Sequence, residues 1–205
     1  MATTIVQPGN TPPAVTLPVN GKPHHTSGWW GMILLICTEA ALFAFLLFSY
    51  FYLDAQNTLW PPPGPPDINL AMINTIILVL SSVPARLGTT AIRRGAREML
   101  SLSIVVTMSL GLAFLIIEAI EWSTKSFTPQ TDAYGSLFFT ITGFHYAHVV
   151  VGMLMLLVIL LRNWAGHFSA RRHLAVENVM LYWHFVGVVW LFVFTTLYVT
   201  PHWWR

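Results

Sequence analysis

Apolar residues gather into five long stretches, roughly 28–53, 68–85, 99–122, 134–161 and 174–198, separated by short polar segments. Within each stretch neither the alternation of a half-buried strand nor the one-sided stripe of a surface helix is visible. A helix that is apolar all round belongs in a core or a bilayer, and spanning the hydrocarbon takes about 20 residues. Five such stretches in 205 residues leave too little polar chain to wrap a soluble core. The pattern therefore predicts an all-α integral membrane protein, a bundle of five transmembrane helices.

The polar segments differ from one another. Residues 60–67 read WPPPGPPD, and prolines there fix φ and remove backbone donors, so an extended loop outside the bilayer is expected. Segments 87–98 and 163–173 are basic, and 123–133 is polar. Loops this short make consecutive helices antiparallel neighbours for the most part. Residues 1–26 carry neither a basic n-region nor a short apolar h-region ahead of a small-residue cleavage site, so they read as a flexible cytoplasmic tail rather than a signal peptide. Residues 27–205 form the membrane domain.

Charge sets the orientation. If the N-terminus is cytoplasmic, Lys22, Arg86, Arg93, Arg94, Arg97, Arg162, Arg171 and Arg172 all fall inside, and only Lys125 and Arg205 fall outside. The positive-inside rule then gives a cytoplasmic N-terminus and an external C-terminus. Charged residues make up 9% of the chain, hydrophobic ones 55%, and mean hydropathy is +0.63, which excludes an ordinary soluble domain. The net charge of +2 gives no footprint for nucleic acid. Cys37, the single cysteine, excludes a disulfide framework within the chain and a thiolate metal motif.

Candidate chemistry lies in the polar residues inside the spans. An ionisable group at mid-membrane costs about 2.5–3.5 kcal/mol on insertion scales and asks for a partner. At about 1.5 Å of rise per residue, Glu39, His145, His148 and His184 fall in one central layer of the first, fourth and fifth helices. His145 and His148, three apart, share a face. A carboxylate and three imidazoles could thus converge as a metal or haem site, with Glu118 and Glu121 of the third helix as further donors. Against this, bundle di-metal sites draw on Glu-x-x-His pairs, none of which occurs in a span, and Glu118 and Glu121 sit toward the outer end of their helix. The plainer reading is that the four residues hydrogen-bond one another and the backbone. A small transporter using them as a proton relay is a third possibility, but broken helices and an inverted repeat are missing from the sequence. Arg162 and His167 flank the inner end of the fourth helix, where snorkelling or a lipid phosphate would account for them.

Four motifs carry a family resemblance: GMILLICTEAALF at 31–43, WPPPG at 60–64, FTPQTDAYGSLFFTITGFHYAHVVVG at 127–152 and VENVMLYWHFVGVVWLF at 176–192. Together they resemble subunit III of the haem-copper respiratory oxidases, in the short five-helix bacterial form. The resemblance implies a non-redox subunit of a terminal oxidase, expected to be a cytochrome c oxidase, in the bacterial plasma (inner) membrane. Quinol oxidase subunit III and the nitric oxide reductase accessory proteins are the related alternatives. It further implies no cofactor, metal or catalytic residue in this chain, haems and copper in partner subunits, contact with subunit I, subunit II in the same complex, and a possible larger respiratory supercomplex. Bound structural phospholipid and support of proton uptake and stable turnover are also implied. Glu39 is similar to the family's buried acid, and Arg162 and His167 occupy positions of lipid-phosphate contact. One departure is that the usual WHFVD reads WHFVG, so Gly187 replaces a carboxylate. The two N-terminal helices of the longer form are absent from this sequence.

The orientation is testable by labelling. In a Cys37→Ser background, a cysteine at Pro62 should react with a membrane-impermeant thiol reagent added to intact cells, and one at Gly95 should be protected. The reverse pattern would invert the topology.

Overall fold

A computed structural model describes residues 27–62 and 66–203. The expected tail at 1–26, with Lys22, lies outside them, as do 63–65 in the proline loop and Arg205. Five long helices account for nearly everything else: α1 (Ser27–Gln56), α2 (Ile68–Arg93), α3 (Arg97–Thr124), α4 (Ala133–Trp164) and α5 (Leu174–Phe194). All five are long and apolar enough to cross a membrane. Helix α5 runs on through a π turn at Thr195–Val199 into the short α6 (Thr200–Trp203).

Local chemistry sets the helix ends. Asp67 accepts the Asn69 amide at 3.0 Å and Asp132 the Gly135 amide at 2.6 Å, satisfying otherwise orphaned first-turn donors. Helices α2 and α4 stop at Gly95 and Gly166, both at positive φ, the conformation that closes a helix C-terminus and that L side chains disfavour. At Gly95 the closing bonds run from its own amide to Ile92 O and from the Ala96 amide to Ala91 O.

One expectation about connectivity needs correction. The basic segment 87–98 is mostly helix: α2 continues through Pro84 to Arg93 and α3 begins at Arg97. Pro84 removes one backbone donor, and the helix continues beyond it through Thr89 and Thr90, whose hydroxyls bond back to Ala85 O and Arg86 O. Antiparallel neighbours hold for α2 with α3, the closest-packed pair, for α3 with α4 and for α4 with α5, but not for the first pair. Helix α1 packs instead on α5 and α4, because the long proline-bearing connection carries the chain across the bundle before α2 starts.

The core lies between α2, α3, α4 and α5. Trp183 and Trp190, two turns apart on α5, are both buried. Each indole donates across to α2, Trp183 Nε1 to Ser81 Oγ at 3.0 Å and Trp190 Nε1 to Thr75 Oγ1 at 2.9 Å. Room for the Trp183 ring comes from glycine: a Cβ on Gly111 would stand 2.7 Å from Trp183 Cη2, and one on Gly152 3.0 Å from its Cε3. Such small residues let membrane helices approach closely, where no hydrophobic effect drives them together. Helix α1 is the outlier, with only Phe43 and Tyr50 buried among its 30 residues.

Candidate functional site

The mid-membrane polar residues separate into three places. Glu39 on α1 and His148 on α4 meet directly, Oε2 to Nε2 at 2.8 Å. The other ring nitrogen of His148 lies 2.6 Å from Phe144 O. A backbone carbonyl only accepts, so Nδ1 must carry a proton. The contact with Glu39 is therefore imidazolium to carboxylate, or imidazole accepting from a carboxylic acid. Both forms are net neutral and hold one proton on the line between Nε2 and Oε2. Phe43 caps the pair, its ring 5.1 Å from that of His148.

His145 does not join this pair. Its Nε2 donates to Val186 O on α5 at 3.1 Å, and its ring packs 4.7 Å from Trp190 and 5.6 Å from Phe114. Residues three apart on a helix differ by about 60° in direction, enough to send His148 toward α1 and His145 into the seam of α3 and α5. His184 lies on another face of α5, half-buried in a pocket with Arg86 and Arg93 of α2. Arg162 and His167 sit exposed at the end of α4, joined through Arg162 O, which accepts the His167 amide at 3.1 Å; the Arg162 guanidinium lies 5.5 Å from the centre of the Phe168 ring.

A further polar cluster was not anticipated from the sequence. Glu118 and Glu121 are 1% and 2% exposed, enclosed despite their place near the helix end. Asn74 Nδ2 donates to Glu118 Oε2 at 3.0 Å, while Tyr198 OH and Lys125 Nζ both reach Glu121 Oε1 at 2.7 Å. The Lys125 ammonium also rests over the Phe138 and Tyr198 rings, 5.2 and 5.3 Å from their centres. Asn74 within an apolar run, and Glu118, Glu121 and Lys125 at helical spacing, were the available signals. Depth along one helix hid them, since the C-terminal part of α5 and the π turn close over this end. Among the described residues, no three His, Cys, Asp or Glu side chains converge in a way that could hold a metal ion.

Comparison with known proteins points to one family. The family described as Cytochrome c oxidase subunit III matches residues 21–205. Cytochrome c oxidase subunit 3 of Mus musculus is 37% identical over 183 residues, covering 85% of this chain and 69% of the relative. That of Rattus norvegicus gives the same figures, and that of Equus caballus is 36% identical over 194 residues, covering 88% and 73%.

The Glu39–His148 pair yields a graded prediction. Glu39→Gln keeps a hydrogen-bonding group opposite His148 and should leave the thermal midpoint in detergent nearly unchanged. Glu39→Leu strands His148 Nε2, at a cost of about 1–3 kcal/mol, and should lower it. Equal midpoints for Leu and wild type would mean that the pair holds nothing together.

Proposed function

Because the chain belongs to the cytochrome c oxidase subunit III family, we propose that it is the non-redox subunit of a terminal oxidase, seated beside the subunit that carries the haems and copper. The oxygen chemistry belongs to those partner groups. This chain contributes packing, lipid and a proton-bearing pair. The observation that carries the reading is the family match across residues 21–205, joined to a bundle whose α1 leaves most of its surface uncovered.

Three features support the individual roles. Helix α1 exposes Leu34, Leu35, Phe45 and Phe48, an apolar face suited to lipid or to a neighbouring membrane subunit. Glu39 and His148 hold one proton between two helices and exchange it without changing net charge, which suits a group that supports proton uptake and takes no part in oxygen reduction. Arg162 and His167, exposed side by side at the inner helix end, fit a lipid phosphate. With the basic segments cytoplasmic, that end faces the inner leaflet of a bacterial plasma membrane. Cytochrome c, named in the relatives, is the electron donor this reading assigns to the complex. Subunit II shares the complex, and membership of a larger respiratory assembly is compatible with the exposed α1.

Affinity purification of the tagged chain in mild detergent tests the assignment. The expected result is co-purification of a larger membrane subunit with haem absorbance, and loss of the Soret band once the chain is stripped of its partners. A Soret band, or near-equimolar iron or copper, retained by the stripped chain would overturn it.

A further inference from the structure

At the end of the bundle opposite the basic segments, Glu118 and Glu121 stand three residues apart on one face of α3, both enclosed. One ammonium joins them, that of Lys125, whose side chain is 10% exposed. Glu121 takes the ionic partner: Lys125 Nζ and Tyr198 OH both meet its Oε1 at 2.7 Å. Glu118 Oε2 receives an uncharged donor, Asn74 Nδ2 at 3.0 Å. The other titratable groups near the enclosure, among the described residues, are Tyr198 of the π turn and Tyr134 of α4, the latter close to Tyr50 and to the capping Asp132.

With both carboxyls ionised, the three charged groups would leave one negative charge in excess. An unpaired buried carboxylate is strongly unfavourable, and a second carboxylate beside it adds repulsion. Hydrogen-bond counting reaches the same point by a separate route. Glu118 Oε1, Glu121 Oε2 and Asn74 Oδ1 have no hydrogen-bond partner among the described residues, and all three are acceptors while the carboxyls are ionised. Asn74 is 0% exposed, its amide turned to Glu118. A proton on Glu118 Oε1 converts one of these acceptors into a donor.

We propose that this enclosure is a proton-binding site, holding one proton on Glu118 as a carboxylic acid while Lys125 and Tyr198 keep Glu121 ionised. With that proton the site is neutral. The donor so created has an acceptor in Asn74 Oδ1, the other end of the amide that already bonds Glu118 Oε2, reached directly or through one water. The site draws on α2, α3 and the π turn after α5, so it is separate from the Glu39–His148 pair of α1 and α4. It does not depend on assembly with a redox subunit.

Infrared absorption of the purified full chain, in H2O and D2O at neutral pH, reads the carbonyl band that only a protonated carboxylic acid gives. Wild type minus Glu118→Gln should show such a band, shifted down in D2O; the contribution of Glu39 cancels. Wild type minus Glu121→Gln should show a band of equal intensity, because Glu118 then ionises against Lys125, which already lies close enough to act on it. That variant carries the test alone if Glu118→Gln does not fold. Lys125→Met removes the cation, so the second carboxyl takes up a proton and this site's band should grow about twofold. Retention of the full wild-type band by either glutamine variant, or a Lys125→Met band no larger than wild type, overturns the proposal. Loss of the wild-type band on adding sodium or potassium ions would also overturn it, making the enclosure a metal-cation site.

Discussion

The hydrocarbon of a bilayer offers polar groups no water, so a polar side chain packed between membrane helices gains from a partner on another helix or on its own backbone. That constraint organises the bundle. Trp183 and Trp190 fasten α5 to α2, Glu118 and Asn74 fasten α3 to α2, and Tyr198 ties the end of α5 to Glu121 of α3. At the other end Asn163 of α4 donates to Arg97 O and to Ser101 Oγ of α3, both at 2.8 Å. Each bond is worth little alone, of the order of 1 kcal/mol. Their value is in register: a slip of one residue would leave several buried donors unmet at once.

Helix α1 obeys the same rule with fewer bonds. Its cross-helix polar contacts include the Glu39–His148 pair and, at its first turn, Asn178 Nδ2 donating to Gly28 O at 3.0 Å. Aromatic packing of Tyr50 with Trp60 and Tyr134 steadies its far end. A four-helix core with one lightly attached helix suits a subunit whose exposed apolar face is completed by lipid or by another chain. Gly187 fits this division of labour. A Cβ there would stand 3.7 Å from Ser82 Oγ, at the seam of α5 and α2, and the two indole bonds join that seam without a carboxylate.

Composition and run length made the five spans legible, because hydrocarbon imposes both. The order of packing was less legible. That α1 avoids α2 depends on where a proline-bearing connection lets the chain go, and apolar runs carry no direction around the helix. Glu39, His145, His148 and His184 could be placed at one depth, but depth is one coordinate of three. The rotation of α4 separates His148 from His145, and that of α5 turns His184 toward Arg86. Glu118 and Glu121 were set apart from the central layer by their place toward the helix end, and their enclosure was not legible because the covering residues come from the distant C-terminal part of α5. The long motifs named the family where periodicity could not, because they record a whole surface of packing contacts.

The central claim is that cross-helix polar bonds make α2, α3, α4 and α5 one cooperative unit and leave α1, with few buried residues, the most lightly attached helix. Hydrogen–deuterium exchange of the isolated chain in detergent, resolved helix by helix, reads this directly. The account predicts that amides of α1 exchange first, as a block, while α2, α3 and α5 remain protected together. Exchange of α1 as slow as that of α2 and α3 would contradict it.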